Sequence, residues 1–221
     1  LGEIRPWSAV IAAMRGGLSA QSGSKGAGLR ILTETVNAPT LAAQIQQVLQ
    51  QQPSAKWIQW EPVPRDNARA GARSAFGEYL EPVYDLTKAD IILSLDADFL
   101  ASEGAGNLRY ARQFASRRRV EESADNLNRL YVVESNHSVT GGRADNRLPL
   151  KSSQVEAFAR AVAQQAGVAG VTGTAPAGSE AFAEAVAKDL AAHRGRAVVM
   201  AGDAQPSSVH AIAPALNAAI G

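Results

Sequence analysis

Short apolar runs alternate with amphipathic stretches along most of the chain. Residues 28–33, 56–60, 89–95, 130–134 and 197–200 read as strands, and 89–95 is nearly continuously apolar. Such a run suits a central strand covered on both faces. Between these runs, apolar residues recur at helical spacing: Leu41, Ile45, Val48 and Leu49; Val155, Phe158, Ala159 and Val162; Phe182, Val186 and Leu190; Val209, Ile212 and Leu216. Residues 67–75, rich in Ala and Arg, and residues 108–115 also read as helices. Strands separated by helices predict an α/β fold with a mostly parallel, Rossmann-like sheet and helices on both faces.

Punctuation residues refine the boundaries. Asn37, Ala38, Pro39 and Thr40 supply helix-start chemistry, with a proline tolerated in the first turn, and Pro53 ends that helix. Ser179 is placed to cap the helix that follows it. Pro214 removes a backbone donor and should kink the last helix. Residues 16–28 are rich in Gly and are expected to form a mobile spacer between a short N-terminal helix and the first strand. Residues 167–178, rich in Gly, Thr, Ala and Pro, are the best internal linker. The expected organisation is therefore an α/β domain over 1–166, a linker over 167–178, and a C-terminal helix–strand–helix unit over 179–221. That last unit forms either a separate lobe or part of the same domain.

Composition narrows the function classes. Apolar residues are 46% of the 221 and charged residues 19%, ordinary for a globular protein, and no apolar run is long enough to span a bilayer. The chain starts at Leu1 without a signal-peptide pattern, so a longer parent polypeptide is expected. With 22 basic and 21 acidic residues the net charge is +1, which argues against a dedicated nucleic-acid binder. Arg117, Arg118 and Arg119 form the one dense basic run, expected at a solvated helix end. Without cysteine the chain offers no thiolate nucleophile and no cysteine-ligated cluster. His137, His193 and His210 lack metal-ligand spacing and read as ordinary surface or packing residues.

Ligands of open parallel sheets bind beyond the carboxyl ends of the strands. That rule selects residues 33–37, 96–99, 134–140 and 202–207. No Gly-x-Gly-x-x-Gly and no Walker-type Gly-Lys-Ser/Thr follows a strand. Asp96 and Asp98 either bind a divalent metal or do acid/base work, or simply cap the next turn through nearby amides. Ser135 and Ser138 flank His137, but without a Gly-x-Ser-x-Gly elbow they do not make a hydrolase triad.

Residues 85–93, Asp-Leu-Thr-Lys-Ala-Asp-Ile-Ile-Leu, resemble the segment that leads into a Gly-x-Asn-Pro turn in molybdopterin oxidoreductases. Residues 131–134, Ala144 with Asp145, and residues 148–150 resemble that family's Asp-Pro-Arg-Arg-Thr-x-Thr-Ala region and the positions beyond it. Residues 197–221, with Gly202, Gln205 and Asn217, are similar to a later strand–helix unit. The departures are as informative. Gly-x-Asn-Pro is replaced by Asp96, Ala97, Asp98 and Phe99. The Pro-Arg-Arg positions are Ser135, Asn136 and His137, and Pro-Gly-Thr-Asp becomes Ser152, Ser153, Gln154 and Val155. In the family these turns help hold a pyranopterin guanine dinucleotide, and carboxylates or bulky side chains there oppose a diphosphate.

A narrower resemblance covers Thr33-Glu34-Thr35, Glu61-Pro62-Val63, residues 65–73, residues 93–100, and Val133-Glu134-Ser135 with Thr140-Gly141 and Ala144-Asp145. These look like the large iron–sulfur subunit of bacterial alternative complex III, a quinol-oxidising assembly. The resemblance implies a molybdopterin-oxidoreductase-like part without the molybdenum cofactor, exported by a twin-arginine route into a periplasmic, membrane-associated complex. Iron–sulfur clusters then belong elsewhere in the parent chain. The partners implied are the rest of that chain and neighbouring subunits, with neither nucleic acid nor direct membrane insertion. No catalytic, metal-binding or cofactor-binding residue is expected; the degenerate pterin-site positions are Asp96, Asp98, Phe99, Glu134, Ser138, Thr140 and Asp145. Two other functions remain open: a genuine molybdopterin-dinucleotide oxidoreductase fragment, and a small-ligand or metal-binding α/β domain using Asp96 and Asp98.

Overall fold

The computed structural model describes residues 2–101, 106–119 and 127–221. The chain divides into two compact units, Leu1–Pro64 and Arg65–Gly221. Among the described residues, no helix is long and apolar enough to cross a membrane.

The first unit contains helix α1 (Trp7–Ala20), strand β1 (Arg30–Thr33), helix α2 (Pro39–Gln51) and strand β2 (Lys56–Gln59). β1 and β2 pair in parallel with Ile31 opposite Trp57. The Trp57 indole donates to the Thr33 hydroxyl at 2.9 Å. Pro39 opens α2 at the position where a missing N–H costs nothing. The expected spacer over 16–28 is largely structured. α1 continues through Gly16 and Gly17, and a 3₁₀ turn, Ser22–Ser24, follows. The Gln21 side chain then holds the Gly28 amide at 3.2 Å. Glycine weakens a helix by about 1 kcal/mol but does not forbid one.

The second unit holds α3 (Asp66–Phe76), β3 (Ile91–Leu95), α4 (Asn107–Ser116), β4 (Arg129–Glu134), β5 (Asn146–Pro149), α5 (Ser152–Gln165), α6 (Glu180–Ala192), β6 (Ala197–Ala201) and α7 (Ser207–Ile220). Four parallel strands lie in the order β5-β4-β3-β6, with Leu93 between Tyr131 and Val199. All five residues of β3 are buried, as expected of a strand covered on both faces. Ile91, Leu93, Leu95 and Val133 face a core built with Val155 and Phe158 of α5, Leu190 of α6 and Leu216 of α7. Ile92, Leu130, Val132 and Met200 face the other way, onto Leu86, Phe99, and Tyr110 and Phe114 of α4. The fold is α/β and Rossmann-like.

Several local features bear on these expectations. β5 lies between β4 and α5, in a stretch with no strand pattern of its own. It is an edge strand of half-buried residues, and Pro149 at its end is tolerated there. Residues 167–178 are irregular, yet Val168, Val171 and Ala175 pack against the core, and the Gly173 amide donates to Gln164 Oε1 at 2.8 Å. β6, from the C-terminal segment, pairs with β3 inside the same sheet. The Ser179 hydroxyl donates to the Pro176 carbonyl at 2.6 Å instead of capping α6. α7 runs through Pro214. β6 is a sheet edge whose Val199 amide and carbonyl are both bonded by the Asn217 side chain, at 2.7 and 3.0 Å, which closes that edge to further pairing.

Candidate functional site

Three carboxylates gather the carboxyl ends of β3, β4 and β6. Asp96 follows β3 in the left-handed region (φ 58°), which Asp adopts more readily than most residues. Its Oδ1 accepts from the Ser135 amide at 3.2 Å, and its Oδ2 from the Gln205 amide nitrogen at 2.8 Å. Gln205, fully buried, also reaches Ser152 Oγ at 3.2 Å. Asp98 Oδ1 accepts from the Thr140 amide at 2.8 Å and its hydroxyl at 2.6 Å, and Thr140 Oγ1 accepts from the Leu100 amide at 3.1 Å. Glu134, 2% exposed, accepts from the Ser138 hydroxyl at 2.5 Å, from the Ser138 amide and from Arg147 Nε. A Cβ at Gly141 would stand 1.9 Å from Glu134 Oε1, so this glycine admits the carboxylate.

Asp96 and Asp98 thus accept backbone amides, but from neighbouring loops and not from their own next turn. Phe99 is buried between α4 and the sheet, edge-on to Phe114 at a centroid separation of 6.2 Å. Ser138 bonds Glu134 instead of meeting His137, so residues 135–138 do not assemble a triad. Asp145 lies away from this cluster. It accepts both Arg118 terminal nitrogens and the Leu130 amide, the latter at 2.8 Å. Burial works to raise the Asp145 carboxyl, but the Arg118 guanidinium and the Leu130 amide outweigh it and hold it below the usual carboxylate value.

The basic run is likewise not a purely solvated helix end. Arg117 pairs with Asp90 at 2.5 Å and donates to the Thr87 carbonyl at 2.8 Å, while Arg118 also holds Asn128. Of the three, Arg119 is exposed and Arg117 and Arg118 are partly buried. The charges are drawn inward because Asp90 and Asp145 flank the neighbouring strands.

A crevice of about 390 Å³ opens beside this cluster, at the carboxyl ends of β3 and β6. The chain departs from β3 toward β4 on one side while β6 lies on the other, and ligands of open sheets bind at such a reversal. α3 and α7 wall it; they meet so closely that a Cβ at Gly71 would lie 2.3 Å from the His210 Cβ. Aromatic lining comes from Phe76, Tyr79, Tyr84, Phe99 and Tyr110. At its edge Arg65 pairs with Glu81 at 2.7 Å and with Asp203 at 3.1 Å. Burial opposes the Arg65 charge, but Glu81 and Asp203 outweigh it and strengthen it.

Burial pushes the Tyr84 hydroxyl up to about 12, so it stays neutral. Burial pushes His210 down, and Arg65 adds to that while Asp203 opposes it. His210 Nε2 is enclosed without a hydrogen-bond partner among the described residues. The strand-end rule locates residues 96–99 and 202–207 in the sequence. It does not reach Arg65, Tyr84 or His210, which arrive from the residue before α3, the segment after it, and α7.

In comparison with known proteins, no family model matches the chain, and no curated protein matches it.

Proposed function

We propose that the chain is the cofactor-free, molybdopterin-oxidoreductase-like part of the large iron–sulfur subunit of a bacterial alternative complex III. In this reading it is a periplasmic scaffold that packs against the cluster-bearing remainder of the parent chain and neighbouring subunits of a quinol-oxidising complex. One observation supports it over a dinucleotide-binding enzyme. The loop amides that could cradle a diphosphate, those of Ser135, Ser138 and Thr140, are each bonded to an internal carboxylate of Asp96, Glu134 or Asp98. A diphosphate would have to displace those carboxylates and then lie beside them. Two unit charges at 4 Å interact by about 4 kcal/mol at an effective dielectric near 20. The residues present do not fit the pyranopterin dinucleotide.

Calorimetric titration of the chain with GDP tests the cofactor-free part of this reading. No heat beyond dilution is expected, and micromolar binding would overturn it in favour of a pterin-dinucleotide oxidoreductase. Native electrophoresis of source-cell membranes, with immunodetection of the chain, tests the assembly. Co-migration with quinol-oxidising activity is expected; recovery solely as a free species of its own mass would overturn the scaffold role.

A further inference from the structure

The crevice at the carboxyl ends of β3 and β6 has a charge pattern and a wall chemistry that select its occupant. Three carboxylates line it, Glu81, Asp98 and Asp203, against one guanidinium, Arg65. Arg65 is already shared between Glu81 and Asp203, which leaves Asp98 without a cationic partner among the described residues. Asp98 Oδ1 takes both Thr140 bonds, and Oδ2 has no donor among the described residues.

The walls are rings with electron-rich faces. Tyr84 and Tyr110 stand 6.2 Å apart, inclined at 54°. Two of the lining rings already attract cations that do not line the crevice: Arg69 lies 5.9 Å from the Tyr79 centroid and Arg109 lies 4.9 Å from that of Tyr110. Aromatic faces next to a carboxylate recognise ammonium groups by cation–π attraction. An anion would meet Asp98 with Arg65 already paired and no other lysine or arginine among the described lining residues.

We propose that this crevice is a binding site for a small organic cation, an alkylammonium or quaternary ammonium compound. Asp98 Oδ2 supplies the counter-charge, Tyr84 and Tyr110 the aromatic wall, and Met200 part of the apolar lining. The proposal rests on the crevice alone and is independent of the scaffold reading.

The chain contains two methionines, Met14 and Met200, of which only Met200 lines the crevice. Methyl-¹³C-methionine labelling of the whole chain therefore gives a reporter and an internal reference. Choline, butylammonium, 3,3-dimethylbutan-1-ol (the neutral isostere of choline) and butyrate are titrated in turn. Choline or butylammonium should move the Met200 methyl saturably and leave Met14 in place. The neutral alcohol should bind more weakly by about tenfold, the scale of a desolvated cation–π contact, and butyrate should not bind. Asp98→Asn keeps an oxygen for Thr140 and should weaken the cation by about tenfold. Tyr84→Leu, which leaves the strand-end loops intact, should weaken it as well and stands in if Asp98→Asn unfolds. Binding of the alcohol or butyrate as tight as that of the cations would overturn the proposal, as would a Met200 methyl unmoved by either cation. The cation titrations contain no GDP, so the Met200 shift and the GDP heat are separate readouts and the two readings fail separately.

Discussion

Gly202 lies against the main chain of Asp96: a Cβ at position 202 would stand 1.9 Å from the Asp96 carbonyl oxygen. The Gly202 amide donates to the Leu95 carbonyl at 2.9 Å, so β6 turns away from the sheet in contact with the residue that ends β3. Both contacting groups are backbone, and neither can rotate aside.

Gly202→Ala should accordingly be destabilising although it adds one methyl group. Forcing atoms into a close-packed site typically costs about 1–3 kcal/mol, and a backbone neighbour puts this case at the upper end. Urea unfolding monitored by circular dichroism measures it. A loss under about 0.5 kcal/mol, typical of a surface change, would show that the β3 and β6 ends can separate freely.

The Glu134–Arg147 pair predicts an asymmetric response. Glu134 is 2% exposed and Arg147 27%, so removing the arginine leaves a buried carboxylate held, among the described residues, by Ser138 alone. Arg147→Met should cost about 3–5 kcal/mol, the usual result of orphaning a buried charge. Adding Glu134→Gln removes the charge and should recover part of that loss. Equal stability of the single and double variants in urea would mean that the carboxylate does not need its partner.

Asp145 predicts a pH dependence. Burial raises its carboxyl and the Arg118 guanidinium and Leu130 amide lower it by more, so its folded value lies below the ordinary 3.8. The native state therefore holds the proton less tightly than the unfolded chain. The contribution is fully present above that ordinary value and is lost as the pH falls through the lower folded value. At neutral pH Asp145→Ala should cost about 1–3 kcal/mol, toward the lower figure because the side chain is 37% exposed. Thermal unfolding from pH 6 down to pH 3 should fall less steeply for Asp145→Asn than for the parent, and parallel curves would refute the assignment.

The α/β class was legible because the patterns that announce it are local. Continuous apolar residues over 91–95 and the helical spacing of Val155, Phe158 and Val162 demand burial on both faces of a strand and on one face of a helix, whatever the partners. β5 was not legible: an edge strand buries little, so Asn146 and Arg147 carry no apolar signal. The strand-end rule located Asp96, Asp98 and Gly202 but not what they do. Their roles depend on strand order, which sets Gln205 beside Asp96 across 109 positions and Asp203 beside Arg65 across 138. Sequence by itself determined which segments had to be buried, because burial follows from each segment's own composition. Only the tertiary structure decided which carboxylate meets an amide, which meets a guanidinium, and which, at Asp98, keeps one oxygen without a donor among the described residues, because those pairings arise where distant loops converge.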